Sequence, residues 1–180
     1  MTEVRERRTA RVLLLDPDDR ILLMRGRPPS DPDSTPVWFT VGGGAEPGET
    51  VLQTAAREIL EETGLADARL GVVAWYGESL LSDRKGRPVH FKEHYVVART
   101  DGGELSRAGW QPLEREFVDE LRWWTLEELR MTSETVYPES LAELLPDVLA
   151  GRFGGGPLVI RTLEGPVLPI PRPTRSDGAV

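Results

Sequence analysis

Apolar and polar positions along the chain change period several times, and each change marks an element. Arg8 to Leu15 and Ile21 to Met24 are β-rich runs on either side of Asp16-Pro17-Asp18-Asp19-Arg20, a turn-forming cluster, so the pattern predicts a β-hairpin. Gly26 to Pro36, rich in Pro, Ser and Asp, is a surface loop. A short strand at Val37 to Val41 runs into Gly42-Gly43-Gly44-Ala45-Glu46-Pro47-Gly48, whose glycines permit close approaches closed to other residues. Thr50 to Thr63 is the strongest helix: Val51, Leu52, Ala55, Ala56, Ile59 and Leu60 recur at the helical period, and Gly64 stands where a helix ends.

Strands follow at Leu70 to Tyr76 and Phe91 to Ala98, joined through the polar segment Ser82 to Pro88. A strand at Glu120 to Trp124 leads into a short helix at Leu126 to Arg130, and Pro138 to Leu149 reads as a last helix. Strands interleaved with helices indicate a mixed α/β domain over residues 1–150. From Gly151 the chain turns Gly- and Pro-rich, which predicts an extended arm over 151–180, disordered from about Thr174. That arm could pack across a partner subunit as a homodimer.

Composition narrows the chemistry. The chain has no cysteine, which excludes thiolate nucleophiles and cysteine-bound zinc. His90 and His94 share one strand face but lack a third ligand. A metal site here is therefore built from oxygens and suits a hard cation. A net charge of −8 argues against a surface for nucleic acid polymers, which are bound through Lys and Arg. The apolar patch near the N-terminus is too short for a signal peptide, and no stretch reaches the roughly 20 apolar residues of a membrane span, so the reading is a cytoplasmic protein.

The informative segment is Gly43 to Leu65. Spacings of three and four put Glu58, Glu61 and Glu62 on one helix face, where they repel unless a divalent cation joins them. Arg57 reaches Glu61 one turn on, or Glu49 near the helix start, and its planar fork suits a carboxylate. A Glu-rich helix face is usually just a solvated one. Here, however, seven fixed residues and two aliphatic positions fall in register, a coincidence expected on the order of once in a million such chains.

The segment resembles the Nudix box, Gly-x5-Glu-x7-Arg-Glu-aliphatic-x-Glu-Glu-x-Gly-aliphatic, at every specified position. Arg122 to Leu129 also looks like the family, and roughly residues 8 to 150 are covered. The resemblance implies an α/β/α sandwich with a mixed sheet, binding magnesium or manganese. It implies Glu58 and Glu62 as metal ligands, Glu61 as a ligand or part of the hydrogen-bond network, and the carbonyl of Gly42 or Gly43 as a further ligand. Arg57 and Glu49 would orient the carboxylates.

The implied reaction is hydrolysis of a phosphoanhydride bond in a nucleoside triphosphate, a nucleotide sugar such as ADP-ribose, or a dinucleoside polyphosphate. A divalent ion lowers the pKa of bound water and neutralises the leaving phosphate, while a carboxylate takes the proton. That carboxylate is Glu58 or one outside the box: Glu78, Glu93, Glu114, Glu116 or Glu120, with Glu93 and Glu120 preferred for their place on or beside strands. Arg25 and Arg27 are candidates for a diphosphate, and Trp38 for a base. The subfamily patterns for ADP-ribose, dinucleoside polyphosphates, coenzyme A and NADH are missing. Two other readings are a nucleotide-sensing module without turnover and a calcium-stabilised structural domain.

Overall fold

The computed structural model describes residues 4–27, 33–82 and 87–161. In chain order the elements are β1 (Arg5–Leu15), β2 (Ile21–Gly26), β3 (Val37–Gly44), α1 (Val51–Thr63), β4 (Arg69–Ser82) and β5 (Pro88–Arg99). They continue as α2 (Pro112–Phe117), β6 (Val118–Trp124), α3 (Leu126–Met131), β7 (Val136–Tyr137), α4 (Leu141–Leu149) and β8 (Leu158–Val159). The strands form one mixed sheet in the order β6-β2-β3-β1-β5-β4-β8, with β7 on β3. β1 and β5 run parallel at its centre, and the remaining pairs along that order are antiparallel except β4 with β8.

Strand alternation sends side chains to two cores. On one face Ala10, Val12, Leu14, Leu22, Met24 and Val41 pack under α1 through Ala55 and Ile59. On the other, Leu13, Leu15, Leu23, Trp38, Trp75 and Trp124 pack under Leu129 of α3 and Leu141, Leu145 and Val148 of α4. The result is an α/β/α sandwich. Among the described residues no helix is long and apolar enough to cross a membrane.

Three sequence expectations change. The β1–β2 hairpin closes only at Leu15↔Ile21, because β3 inserts between the two strands and takes both ladders. Asp16 holds that turn: its Oδ1 accepts from the Asp18 and Arg20 amides at 3.0 and 2.9 Å, and its Oδ2 from Arg20 Nε at 2.7 Å. Residues between Ala98 and Glu120, to which the periodicity assigns no element, contain α2. The arm is not free at its start, since β8 adds to the edge of β4 and the Ile160 amide donates to the Tyr76 carbonyl at 2.8 Å. The remainder of the arm, with its expected disorder, and parts of the 26–36 and 82–88 segments lie outside the described residues.

α1 starts at a reciprocal cap between Thr50 and Gln53 and ends at Gly64, whose φ of 75° is the left-handed geometry a glycine adopts without strain. Its buried side is not the apolar stripe alone: Leu52 and Leu60 are exposed, and the buried set is Thr54, Ala55, Glu58, Ile59, Glu62 and Thr63. Polar and apolar residues thus share one face, in the adjacent pairs Thr54-Ala55, Glu58-Ile59 and Glu62-Thr63. Ile59, 1% exposed between Glu58 and Glu62, is the anchor that presses this face onto the sheet. Ile59→Ala should lower unfolding free energy by about 3 kcal/mol, read from urea melts. A loss under about 1 kcal/mol would show that the helix is held by its polar contacts instead.

Candidate metal centre

The site sits where β3, the glycine loop and α1 meet. Gly42 has a φ of 138°, and a Cβ there would lie 2.1 Å from the Ala10 carbonyl oxygen across the ladder, so no other residue fits without moving backbone. At Gly43 a Cβ would lie 2.4 Å from Glu58 Oε1. The missing side chain is the space in which the Glu58 carboxylate rests.

Arg57 organises the acidic groups. Its Nε donates to Glu49 Oε1 at 2.8 Å and its Nη2 to Glu49 Oε2 at 3.0 Å, a bidentate contact that closes the loop onto the helix. Nη2 also donates to the Gly44 carbonyl at 3.0 Å, and Nη1 donates to Glu58 Oε1 at 2.8 Å and Glu61 Oε2 at 3.1 Å. The hydrogen bond from Arg57 first, then the Glu46 amide, holds the Glu49 carboxyl down at about 2.

Glu58 and Glu62 behave oppositely. Burial pushes the Glu58 carboxyl up against the pull of Arg57, with the charges of Glu61 and Glu114 adding to the rise. Burial, followed by the charge of Glu58, pushes Glu62 well above the usual carboxylate range. The Gly42 amide, donating to Glu62 Oε2 at 2.7 Å, offsets only part of this.

A third carboxylate arrives from α2. Ligand oxygens of Glu58, Glu62 and Glu114 all lie within 4.8 Å of one another. Two contacts bring it there. Trp110 Nε1 donates to the Glu62 carbonyl at 2.7 Å, and Gly109 lies so close to α1 that a Cβ would come 2.5 Å from the Glu61 carbonyl oxygen. Glu114 is one of the five carboxylates that the sequence offers outside the box, and not one of the two it favours. Its signal was in the sequence all the same: Pro112 followed by Glu114 is the mark of a helix start, and the Gln111 amide does donate to Glu114 Oε2 at 2.6 Å.

The other candidates separate from this group. Glu61 turns to Arg57 and is not one of the three clustered carboxylates. Gly42 keeps its carbonyl beside Arg11, whose Nη1 lies at 3.4 Å. Glu93 is buried and taken by Arg11 Nε at 2.9 Å. Glu120 is exposed on β6, opposite Arg25. Arg25 and Arg27 pair with Asp119 and, for Arg25, with Glu134, all partly exposed groups away from the three clustered carboxylates. Trp38 is 2% exposed with Trp124 against it at a 76° angle and 5.0 Å between ring centroids, which leaves no ring face for a base. Burial of large aromatics in the core outweighs their use on a surface here.

Three clustered carboxylates, two of them buried and resisting ionisation, form an oxygen-only set that fits a divalent cation of the magnesium or manganese kind. Arg57 alone leaves the repulsion between Glu58 and Glu62 uncompensated. The carboxylates thus meet at a strand, glycine loop and helix junction on an α/β/α sandwich.

The chain belongs to the NUDIX domain family, whose profile matches residues 5–148. Over 139 residues it is 32% identical to a Mycobacterium tuberculosis protein that carries the name mutator protein MutT4, covering 77% of this chain and 51% of that one. Over 98 residues it is 38% identical to a Bacillus subtilis protein named as an 8-oxo-dGTP diphosphatase, covering 54% of this chain and 56% of that one. The chain thus spans about half the length of the curated relatives it matches. The crystal structure of a MutT protein from Methanosarcina mazei Go1 shares the fold, with a TM-score of 0.57 at 19% identity over 84% of this chain and 98% of that one.

The raised Glu62 carboxyl sets a pH dependence. Its folded value lies above the ordinary 4.5, so without metal the folded chain keeps a proton that the unfolded chain has lost. Stability from this group is therefore full below about pH 4.5 and is lost as pH rises through the raised value. A divalent cation seated on Glu58 and Glu62 would take the proton's place. The rise in Tm on adding magnesium or manganese should be larger at about pH 8 than at about pH 5.5; equal rises would contradict a metal seated on Glu58 and Glu62.

Proposed function

We propose that this chain is a metal-dependent pyrophosphohydrolase that cleaves a phosphoanhydride bond in a nucleoside diphosphate-linked substrate. The observation that carries the reading is the meeting of Glu58, Glu62 and Glu114 within 4.8 Å. It lies beside a glycine loop that leaves room for Glu58. Nucleoside triphosphates, oxidised purine forms among them, are the first substrates to try, given the names that the relatives carry. A small free nucleotide suits the net charge of −8 better than a nucleic acid polymer does.

Glu58 and Glu62 would hold the cation, with Glu114 at its more open side. When bound, a divalent cation of this kind polarises phosphoryl oxygens, lowers the pKa of a water and neutralises the leaving phosphate. The chain's own residues do the rest. Arg57 fixes the Glu58 carboxylate through Oε1, and Glu49 fixes Arg57. The Gly42 amide fixes Glu62.

Glu114 takes the proton of the attacking water. Of the outside carboxylates it alone joins the cluster, and the Gln111 amide at the start of α2 donates to its Oε2 and holds it in place. Glu93 is neutralised by Arg11 and Glu120 faces Arg25, so neither is assigned this role.

The test is a product-resolved assay over nucleoside triphosphates, nucleotide sugars and dinucleoside polyphosphates, with magnesium and with manganese. Turnover should require metal and fall about 1,000-fold in Glu58→Gln with Glu62→Gln. Glu114→Gln should lower kcat by about 100-fold while changing the metal requirement little. Tight nucleotide binding without turnover anywhere on the panel would instead favour a sensing module.

A further inference from the structure

β1 carries a second feature that the carboxylate centre does not use. Along it the odd-numbered residues Arg5, Arg7, Thr9 and Arg11 share the face that further on carries Leu13 and Leu15 into the core. Arg11 is neutralised by Glu93. The side chains of Arg5 and Arg7 have no hydrogen bond or ion pair among the described residues.

Arg7 lies directly against the glycine loop. A Cβ on Gly44 would come 2.3 Å from its Nε and 2.5 Å from its Nη2, so Gly44 leaves the place that the guanidinium fills. As a residue Arg7 is exposed, so solvent reaches it, but the side of the guanidinium held against the loop is desolvated, and this lowers its basicity before the like charges of Arg5 and Arg11 do, with Glu58 opposing. Three guanidiniums along one strand face repel, and the carboxylate of Glu93 answers only one of them.

Thr9 lies between them. It pairs in register with Gly44 on one side and Glu93 on the other, and is 3% exposed. Its hydroxyl has no partner. A buried hydroxyl without a partner is unfavourable, since it has given up its water without replacing it. An unpaired guanidinium beside it, next to a centre for a divalent cation, calls for an anion of fork-matching geometry, which is that of a phosphate.

We propose that Arg7 binds a non-bridging oxygen of the substrate's polyphosphate, over a floor that includes the Thr9 hydroxyl, and that Gly44 is glycine to give the guanidinium that position. This rests on the hydrolase reading and assigns the polyphosphate a contact on β1, apart from Arg25 and Arg27, which pair with Asp119 and, for Arg25, Glu134.

The probe is inorganic pyrophosphate, titrated calorimetrically into the full chain in magnesium buffer. Arg7→Ala should weaken its binding about 10- to 100-fold, and Arg7→Lys less, because a point charge replaces part of the fork. Thr9→Val should weaken it about 3- to 10-fold with no fall in Tm, since it removes a hydroxyl that has no partner. Tm and its shift on adding magnesium check that each variant is folded with the carboxylate centre intact. Unchanged pyrophosphate affinity in Arg7→Ala, or no binding by the unaltered chain, overturns the proposal; unchanged affinity in Thr9→Val removes the hydroxyl from it. Weakened binding in Arg7→Ala from a parent chain that hydrolyses no nucleotide would uphold this anion seat and sink the hydrolase reading. Full hydrolysis with unchanged pyrophosphate affinity in Arg7→Ala would do the reverse.

Discussion

Two carboxylates buried one helical turn apart, Glu58 and Glu62, are the constraint around which the rest of this structure is arranged. Bare, they cost stability, because burial and mutual repulsion both oppose their charge. They stay in place because α1 is pressed onto the sheet by Ile59 and Ala55, residues interleaved with them on the same face. The apolar core therefore supplies the force that brings the acids together. The glycine loop supplies the space, and Arg57 with the Gly42 amide supplies direction without neutralising the pair.

Within one short segment the same residue type is pushed in two opposite directions by its surroundings. Glu49, at the loop's end, faces both prongs of the Arg57 fork and a backbone amide, and is kept ionised. Glu62, one amide against a buried site, is kept from ionising easily. Arg57 stands between the two regimes and ties them mechanically. A change at Glu49 therefore reaches the centre through the angle at which Arg57 presents itself to Glu58.

Much of α1 was legible in the sequence, since its cap, its period and its terminal Gly64 are local signals, and the spacing of its acids is a property of any helix. The limits of that reading are equally physical. Periodicity suggested Leu52 and Leu60 for the buried stripe, but a face shared with carboxylates rotates the helix and leaves both exposed. Glu114 comes from a helix of six residues, too short to show a period, and reaches the site through Trp110 and Gly109, contacts far apart in sequence. Trp38, Arg25 and Arg27 sit where their neighbours decide the outcome: a facing Trp124 for the first, Asp119 and Glu134 for the others. β3 inserting between β1 and β2 is likewise a long-range pairing, while a turn sequence such as Asp16 to Arg20 speaks only for its own closure.

The most direct test of a divalent centre on Glu58 and Glu62 is a manganese titration followed by the electron paramagnetic resonance signal of the free ion. The full chain should suppress that signal until a defined stoichiometry is reached, and Glu62→Gln should suppress it far less at the same protein concentration. Equal suppression by the two proteins would mean that the buried pair does not hold the ion.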